Sequence, residues 1–207
     1  GVESFWHDSI TTRNEALHTP VKLLYVGSFS RVKNVLGLCK AVELMNSNGV
    51  DTVLTIVGAG GEQEEEVLKF IRDKSWINYT GKVTDRGELR SYYRNHDIFC
   101  MPSLAESFGL VYIEALSQGI PVLYSKGEGI DGMSTYLNQN IGEAVDPRSI
   151  DSIAKGVTSI IDNYSSYDFN PFEVTPHFRW EVIASRHNDI YLSCLSGFNN
   201  TEMAVDK

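Results

Sequence analysis

A chain of 207 residues, 42% apolar and 22% charged, can bury a full core and fits one globular domain with trimmings, which excludes disorder and fibrous classes. A net charge of −9 with 18 scattered Lys and Arg argues against nucleic acid as a partner, and leaves room for a small phosphorylated ligand at a local positive site. Cys39, Cys100 and Cys194 form no CxxC pair and the 5 histidines lack metal-ligand spacing, so neither a disulfide framework nor a metal site is indicated.

The first strand is expected at residues 21–26, ended by Gly27. Val35, Leu38, Val42, Leu44 and Met45 then fall on one helical face closed by Asn48-Gly49, and a second strand follows at 52–57. Val67, Leu68, Phe70 and Ile71 mark a short amphipathic helix. Residues 77–80 run into Gly81 as a third strand, and 89–93 form another helix. A fourth strand at 98–101 stops at Pro102, and helical spacing resumes from Leu110 to Gly119. Residues 121–124 and 141–145 read as fifth and sixth strands. Ile150, Ile153, Val157, Ile160 and Ile161 share one helix face. Residues 162–176, rich in Asn, Ser, Asp, Tyr and Pro, read as a loop, 180–195 as a long terminal helix, and 196–207 as a frayed tail. Trp6, Trp76 and Trp180 read as packing anchors.

Strand–helix alternation of this kind predicts a doubly wound α/β fold, a Rossmann-like parallel sheet flanked by helices with its ligand at the carboxyl ends of the strands. No apolar run approaches the ~20 residues needed to span a bilayer, and residues 1–8 lack a signal-peptide pattern, so the chain reads as cytoplasmic.

Three strand ends carry the chemistry. Gly58-Ala59-Gly60-Gly61 resembles a pyrophosphate cradle, but Gln63 stands where a third glycine belongs. Glu62, Glu64, Glu65 and Glu66 then satisfy the helix dipole and would repel a phosphate, which favours a plain tight turn. Between Gly27 and Asn34, Arg31 and Lys33 place two cations after the first strand, which taken alone read either as a solvated basic loop or as groups able to neutralise a diphosphate as it leaves. The most informative stretch is 101–116. It passes from strand to loop to a helix beginning near Phe108-Gly109, whose first-turn amides face the strand-end crevice and can bind an anion. Glu114 sits one turn behind that anion site, at a distance suited to a vicinal diol. Glu106, in the loop before the helix, faces the group to be transferred.

Taken together these residues resemble the donor domain of the retaining glycosyltransferases of family four, also called group one, whose two-domain architecture is GT-B. The segment from Glu106-Ser107-Phe108-Gly109 through Glu114, then Gly119 and Pro121-Val122, is similar to that family's E-x7-E signature. Lys33-Asn34 after Val26-Gly27, and Gly81-Lys82-Val83 followed by Leu89 and Met101-Pro102-Ser103, fit its other blocks in order and spacing; the likeness spans roughly residues 20–195. The resemblance implies that Glu114 holds the ribose, and that Glu106 lies beside the donor sugar with Lys33 on the diphosphate. It further implies that Ser107 and the backbone amides of Phe108, Gly109 and Leu110 meet phosphates and sugar, and that Gly81, Lys82 and Val83 line the base pocket. No cofactor and no metal are expected, and the anomeric configuration is retained. Many members carry an arginine where this chain has Ser28; Arg31 either substitutes for it from the same loop or is simply solvated.

The expected division is 1–19 as the remnant of an interdomain linker, 20–176 as the domain that binds a nucleotide sugar, and 177–207 as terminal helix and tail. An acceptor-binding domain would precede it in the parent chain, and this half alone would turn over poorly. Uracil, guanine and adenine bases, hence UDP, GDP or ADP sugars, all stay compatible, and carbohydrate or polysaccharide biosynthesis is the implied setting. A peripheral contact of the parent with the inner membrane face stays open. The competing readings are a nucleotide-binding regulatory module without transfer activity and one half of a nucleotide-sugar epimerase. A phosphorylase of the same architecture would need a lysine for pyridoxal phosphate and further basic residues, none of which can be located.

Overall fold

The computed structural model describes residues 1–12 and 16–202, with side chains described to residue 195. Six strands form one parallel sheet: β1 (Val21–Val26), β2 (Thr52–Val57), β3 (Ile77–Gly81), β4 (Ile98–Cys100), β5 (Val122–Ser125) and β6 (Gly142–Val145), in the order β3-β2-β1-β4-β5-β6. The pairing of β1 with β2 runs unbroken from Val21 against Thr52 to Val26 against Val57. Leu23, Leu24 and Tyr25 in β1 and Ile98, Phe99 and Cys100 in β4 are fully buried. Central strands covered on both faces need continuous apolar runs, which is why these segments show no alternation. The winding reverses between β1 and β4, the point at which sheets of this kind leave a crevice beyond the strands' carboxyl ends.

Helices cover both faces: α1 (Ser4–His7), α2 (Val35–Ser47), α3 (Glu64–Ile71), α4 (Arg86–Arg94), α5 (Leu110–Ser117), α6 (Met133–Leu137), α7 (Ile150–Asp162), α8 (Pro171–Val174) and α9 (Trp180–Glu202). In α2, Val35, Leu38, Cys39 and Val42 fall at spacings of three and four and are all buried. The start of α4 is fixed by the Asp85 carboxylate, which accepts the Glu88 N–H at 2.7 Å, and that of α7 by the Ser149 hydroxyl oxygen, which accepts the Ser152 N–H at 3.1 Å.

Three expectations need correction. The 162–176 segment is not a plain loop. A 3-10 turn (Tyr164–Ser166), α8 and a second 3-10 turn (Thr175–Phe178) occupy it, and Tyr164, Tyr167, Phe169, Val174 and Phe178 are buried. Asn170 and Pro171, read as loop residues, act as N-cap and first residue of α8, the Asn170 side chain accepting the Phe172 N–H at 3.0 Å. The terminal helix does not fray at 196 but continues to Glu202, and residues 203–207 lie outside the described ones. Trp180 is 57% exposed and is no packing anchor, whereas Trp6 is buried edge-on against Tyr93 with ring centroids 5.5 Å apart. The first residues pack on the domain as well: the Val2 N–H donates to the Phe178 carbonyl at 2.9 Å.

Candidate functional site

The loops after β1 and β2 lie against each other. The Phe29 N–H donates to the Gly60 carbonyl at 2.6 Å, and the Gln63 N–H to the Phe29 carbonyl at 3.0 Å. A Cβ on Gly58 would stand 1.8 Å from the Gly27 carbonyl oxygen, and one on Gly61 2.5 Å from the Phe29 carbonyl carbon. The glycine run therefore serves loop contact. Its Gly60 N–H is already taken by the Glu64 carboxylate at 2.9 Å, which agrees with reading it as a tight turn rather than a phosphate cradle.

Lys33 closes a 3-10 turn (Arg31–Lys33). The next residue, Asn34, is left-handed at φ 55, and its side-chain amide donates to the carbonyls of Pro102 at 3.0 Å and Pro147 at 2.7 Å. The Leu104 N–H donates to the Val32 carbonyl at 2.6 Å. The turn is thus fastened to the loops after β4 and β6, and Lys33 reaches across the winding reversal to set its Nζ 2.5 Å from Glu106 Oε2. Glu106 is nearly buried, and Lys33 keeps about a quarter of its side chain exposed.

Helix α5 begins beside this pair. Gly109 is its N-cap at φ 77; among the described residues no side chain caps it, and its first turn holds no acidic residue. The first-turn amides at Leu110 and Val111 have no intrahelical acceptor, and the positive end of the helix dipole lies with them. Gly109 could not be larger without cost: a Cβ there would lie 2.5 Å from the Tyr112 ring and 3.3 Å from Glu106 Cγ. Two buried phenols support the floor, Tyr112 donating to the Met101 carbonyl at 2.6 Å and Tyr25 to the Ser28 carbonyl at 2.7 Å. Burial above all pushes both hydroxyls up so that they stay protonated, with the Glu106 charge adding to it next for Tyr112 and, behind Cys39, for Tyr25.

One turn further, Glu114 Oε2 accepts from the Tyr93 hydroxyl at 3.0 Å. Burial raises the Glu114 carboxyl from its ordinary 4.5 to about 6; the Tyr93 hydrogen bond opposes the rise, the Glu3 charge adds to it and Arg86 opposes it. Glu114 lines an open cavity of about 250 Å³ together with Glu3, Trp6, Arg86, Leu110 and Trp180. Arg86 spans part of it, its Nη2 donating to Glu3 Oε1 at 2.8 Å. A wider groove of about 520 Å³ between α2 and α7 is lined by Leu44, Met45, Asn48 and Val50 on one side and by Asp151, Lys155 and Asp162 on the other, so its single cation stands among two carboxylates.

The structure therefore brings Lys33, Glu106 and Gly109 together and sets Glu114 behind them. Phe108 packs its ring on Phe178 with centroids 5.6 Å apart, Ser107 and Leu110 are exposed, and the Ser28 hydroxyl donates to that of Ser30 at 3.3 Å. Arg31 is exposed, and its own N–H donates to Glu62 Oε1 at 2.6 Å, a contact that holds the Glu62 carboxyl below its ordinary range. Gly81 is left-handed at φ 74 and receives the Gly58 N–H at 2.8 Å; Lys82 is exposed and Val83 packs on the core, but these three do not line the Glu114 cavity. Sequence reasoning missed Tyr93, Arg86 and the glycine-rich loop after β5. For that loop a signal existed, since it too follows the carboxyl end of a strand.

The family described as glycosyl transferases group 1 matches residues 8–168. The chain belongs to that family. A glycogen synthase of Mycobacterium tuberculosis is 27% identical over 190 residues, covering 86% of this chain and 44% of the relative, so the chain spans less than half the length of that protein. Among solved structures, the C-terminal domain of a group 1 family glycosyl transferase from Francisella tularensis superposes with a TM-score of 0.64 at 18% identity, covering 86% of this chain and 98% of that one. A pneumococcal O-GlcNAc transferase solved with UDP and GlcNAc gives a TM-score of 0.67 at 17% identity, covering 89% of this chain and 38% of that one. The fold of this group 1 member is one Rossmann-like half of the GT-B architecture. Among the described residues no three His, Cys, Asp or Glu stand together to hold a metal ion, and no helix is long and apolar enough to cross a membrane.

Proposed function

We propose that this chain binds the nucleoside diphosphate of an activated sugar as the donor half of a retaining, metal-independent glycosyltransferase. One observation carries the reading: Lys33 and Glu106 meet 2.5 Å apart at the winding reversal, directly before the uncapped N-terminus of α5. A cation beside free helix amides suits a diphosphate, and a nearly buried carboxylate on its far side suits sugar hydroxyls.

In this reading Lys33 and the amides of Phe108, Gly109 and Leu110 hold the diphosphate and stabilise the charge that develops as the anomeric carbon–oxygen bond breaks. Ser28 and Ser107 border the phosphates, and exposed Arg31 adds a second cation. Glu106 orients the sugar, Glu114 accepts the ribose hydroxyls with the oxygen that Tyr93 leaves open, and the turn at Gly81, Lys82 and Val83 receives the base. The glycosyl group passes to a hydroxyl acceptor held by the other half of the parent protein, in the cytoplasm where nucleotide sugars are made. The neighbour solved with UDP and GlcNAc supports a uridine donor.

Calorimetric titration with UDP, GDP and ADP, each with and without EDTA, tests this. One diphosphate binds, EDTA changes nothing, and Lys33→Ala weakens binding by about tenfold or more, the effect of losing one charge-assisted contact. Equal affinity of wild type and variant would overturn the assignment of the phosphate site.

A further inference from the structure

The loop between β5 and α6 touches the proposed sugar side of the crevice through two hydrogen bonds to a single residue. The Glu106 N–H donates to Glu128 Oε2 at 3.0 Å, and the Gly129 N–H donates to the Glu106 carbonyl at 2.9 Å. Both backbone polar groups of Glu106 are therefore claimed by adjacent residues of one loop. Gly129 is left-handed at φ 56, and a Cβ there would lie 3.0 Å from Glu106 Cγ and 3.1 Å from the Phe108 carbonyl oxygen. The loop thus grips the Glu106 side chain by close approach as well as its backbone by hydrogen bonds.

The loop is itself braced. Asp131 accepts the Gly127 N–H at 2.7 Å through one oxygen and the Gly132 N–H at 3.0 Å through the other, and Ile130 is fully buried. Beneath it the Ser125 hydroxyl donates to the Ser103 carbonyl at 2.6 Å, tying the end of β5 to the loop that carries Glu106. A carboxylate in a preceding loop lacks the rigidity that a helix gives Glu114, and a sugar-orienting group needs that rigidity from its supporting residues.

We propose that Glu128 and Gly129 form a clamp that positions the Glu106 carboxylate for the donor sugar, with Glu128 the positioning residue. The clamp acts first on the sugar side, because both its hydrogen bonds go to Glu106, while the backbone of the Lys33 turn is fastened separately through Asn34 and the Val32 carbonyl. It rests on the donor-site reading above.

The test compares UDP with UDP-glucose and UDP-GlcNAc, and GDP with GDP-mannose, by calorimetry on wild type, Glu128→Ala, Glu128→Gln and Gly129→Ala. Glu128→Ala removes the acceptor of the Glu106 N–H and weakens the nucleotide sugar about tenfold while leaving the bare diphosphate unchanged, as expected for one lost hydrogen bond to a charged group. Glu128→Gln keeps an acceptor oxygen and restores sugar binding, which a merely structural role for the charge would not do. Gly129→Ala crowds Glu106 Cγ and gives the same sugar-selective loss, so the clamp remains testable should Glu128→Ala unfold. Equal losses for diphosphate and nucleotide sugar, no loss in either alanine variant, or a Glu128→Gln protein as weak as Glu128→Ala would overturn the clamp alone. A wild-type protein that binds none of the probes would instead overturn the donor-site reading, and the clamp with it.

Discussion

Glu114 shows how one side chain is tuned by its setting. Burial lifts its carboxyl to about 6, and the Tyr93 hydroxyl occupies one of its oxygens, so near neutral pH it is an ionised acceptor with a single oxygen left for a ligand. Between the ordinary 4.5 and about 6 the folded chain holds a proton there that the unfolded chain does not. This raised acid therefore favours folding at low pH, and the benefit is lost as pH rises through about 6. Two outcomes follow with opposite signs. Diphosphate affinity should fall as pH drops through about 6 because the neutral carboxyl accepts poorly, and Glu114→Gln should bind weakly with that part of the pH dependence removed. The same variant should unfold at equal or higher temperature above pH 6, by on the order of 1 kcal/mol, since a partly buried charge is gone. Calorimetry and thermal melts from pH 5 to 8 read both. A Glu114→Gln protein that keeps wild-type affinity throughout would remove the ribose role.

The elements that shape the crevice depend on backbone contacts that larger residues would destroy. The β1 and β2 loops meet so closely at Gly58, where φ is 142 and a Cβ would overlap the Gly27 carbonyl, that Gly58→Ala should cost about 3–5 kcal/mol in urea unfolding. A cost under about 1 kcal/mol would mean that the loops separate without penalty. This contact also separates what the sequence revealed from what it hid. Apolar runs stopped by Gly27 and by Gly58 placed β1 and β2 at their observed bounds, and the buried stripe of Val35, Leu38 and Val42 placed α2. At four and five residues, α1 and α6 are too short to show a period. Residues 162–176 were misread because Asn, Ser and Pro signal both loops and helix starts; only burial of Tyr164, Val174 and Phe178 reveals which meaning applies. In the site, Glu106, Lys33 and Gly109 were legible because a strand, a loop and an uncapped helix follow one another in the chain. Tyr93 and Glu128 were not, because their contacts with Glu114 and Glu106 span 21 and 22 positions and leave no local pattern.

In a chain of net charge −9, the proposed diphosphate site rests on Lys33 and the uncapped N-terminus of α5. The sheet order places the carboxyl ends of β1 and β4 side by side, so that Lys33 from one loop and Glu106 from the other converge before α5 although 73 positions separate them. Local sequence gives each loop, but only the winding reversal brings them together. A crystal structure of this chain with UDP or GDP tests the account most directly. It should show the β-phosphate within hydrogen-bonding distance of Lys33 Nζ and the amides at the start of α5, with both ribose hydroxyls on Glu114. A nucleotide seated in the groove between α2 and α7, or bound at the crevice with its ribose turned away from Glu114, would contradict it.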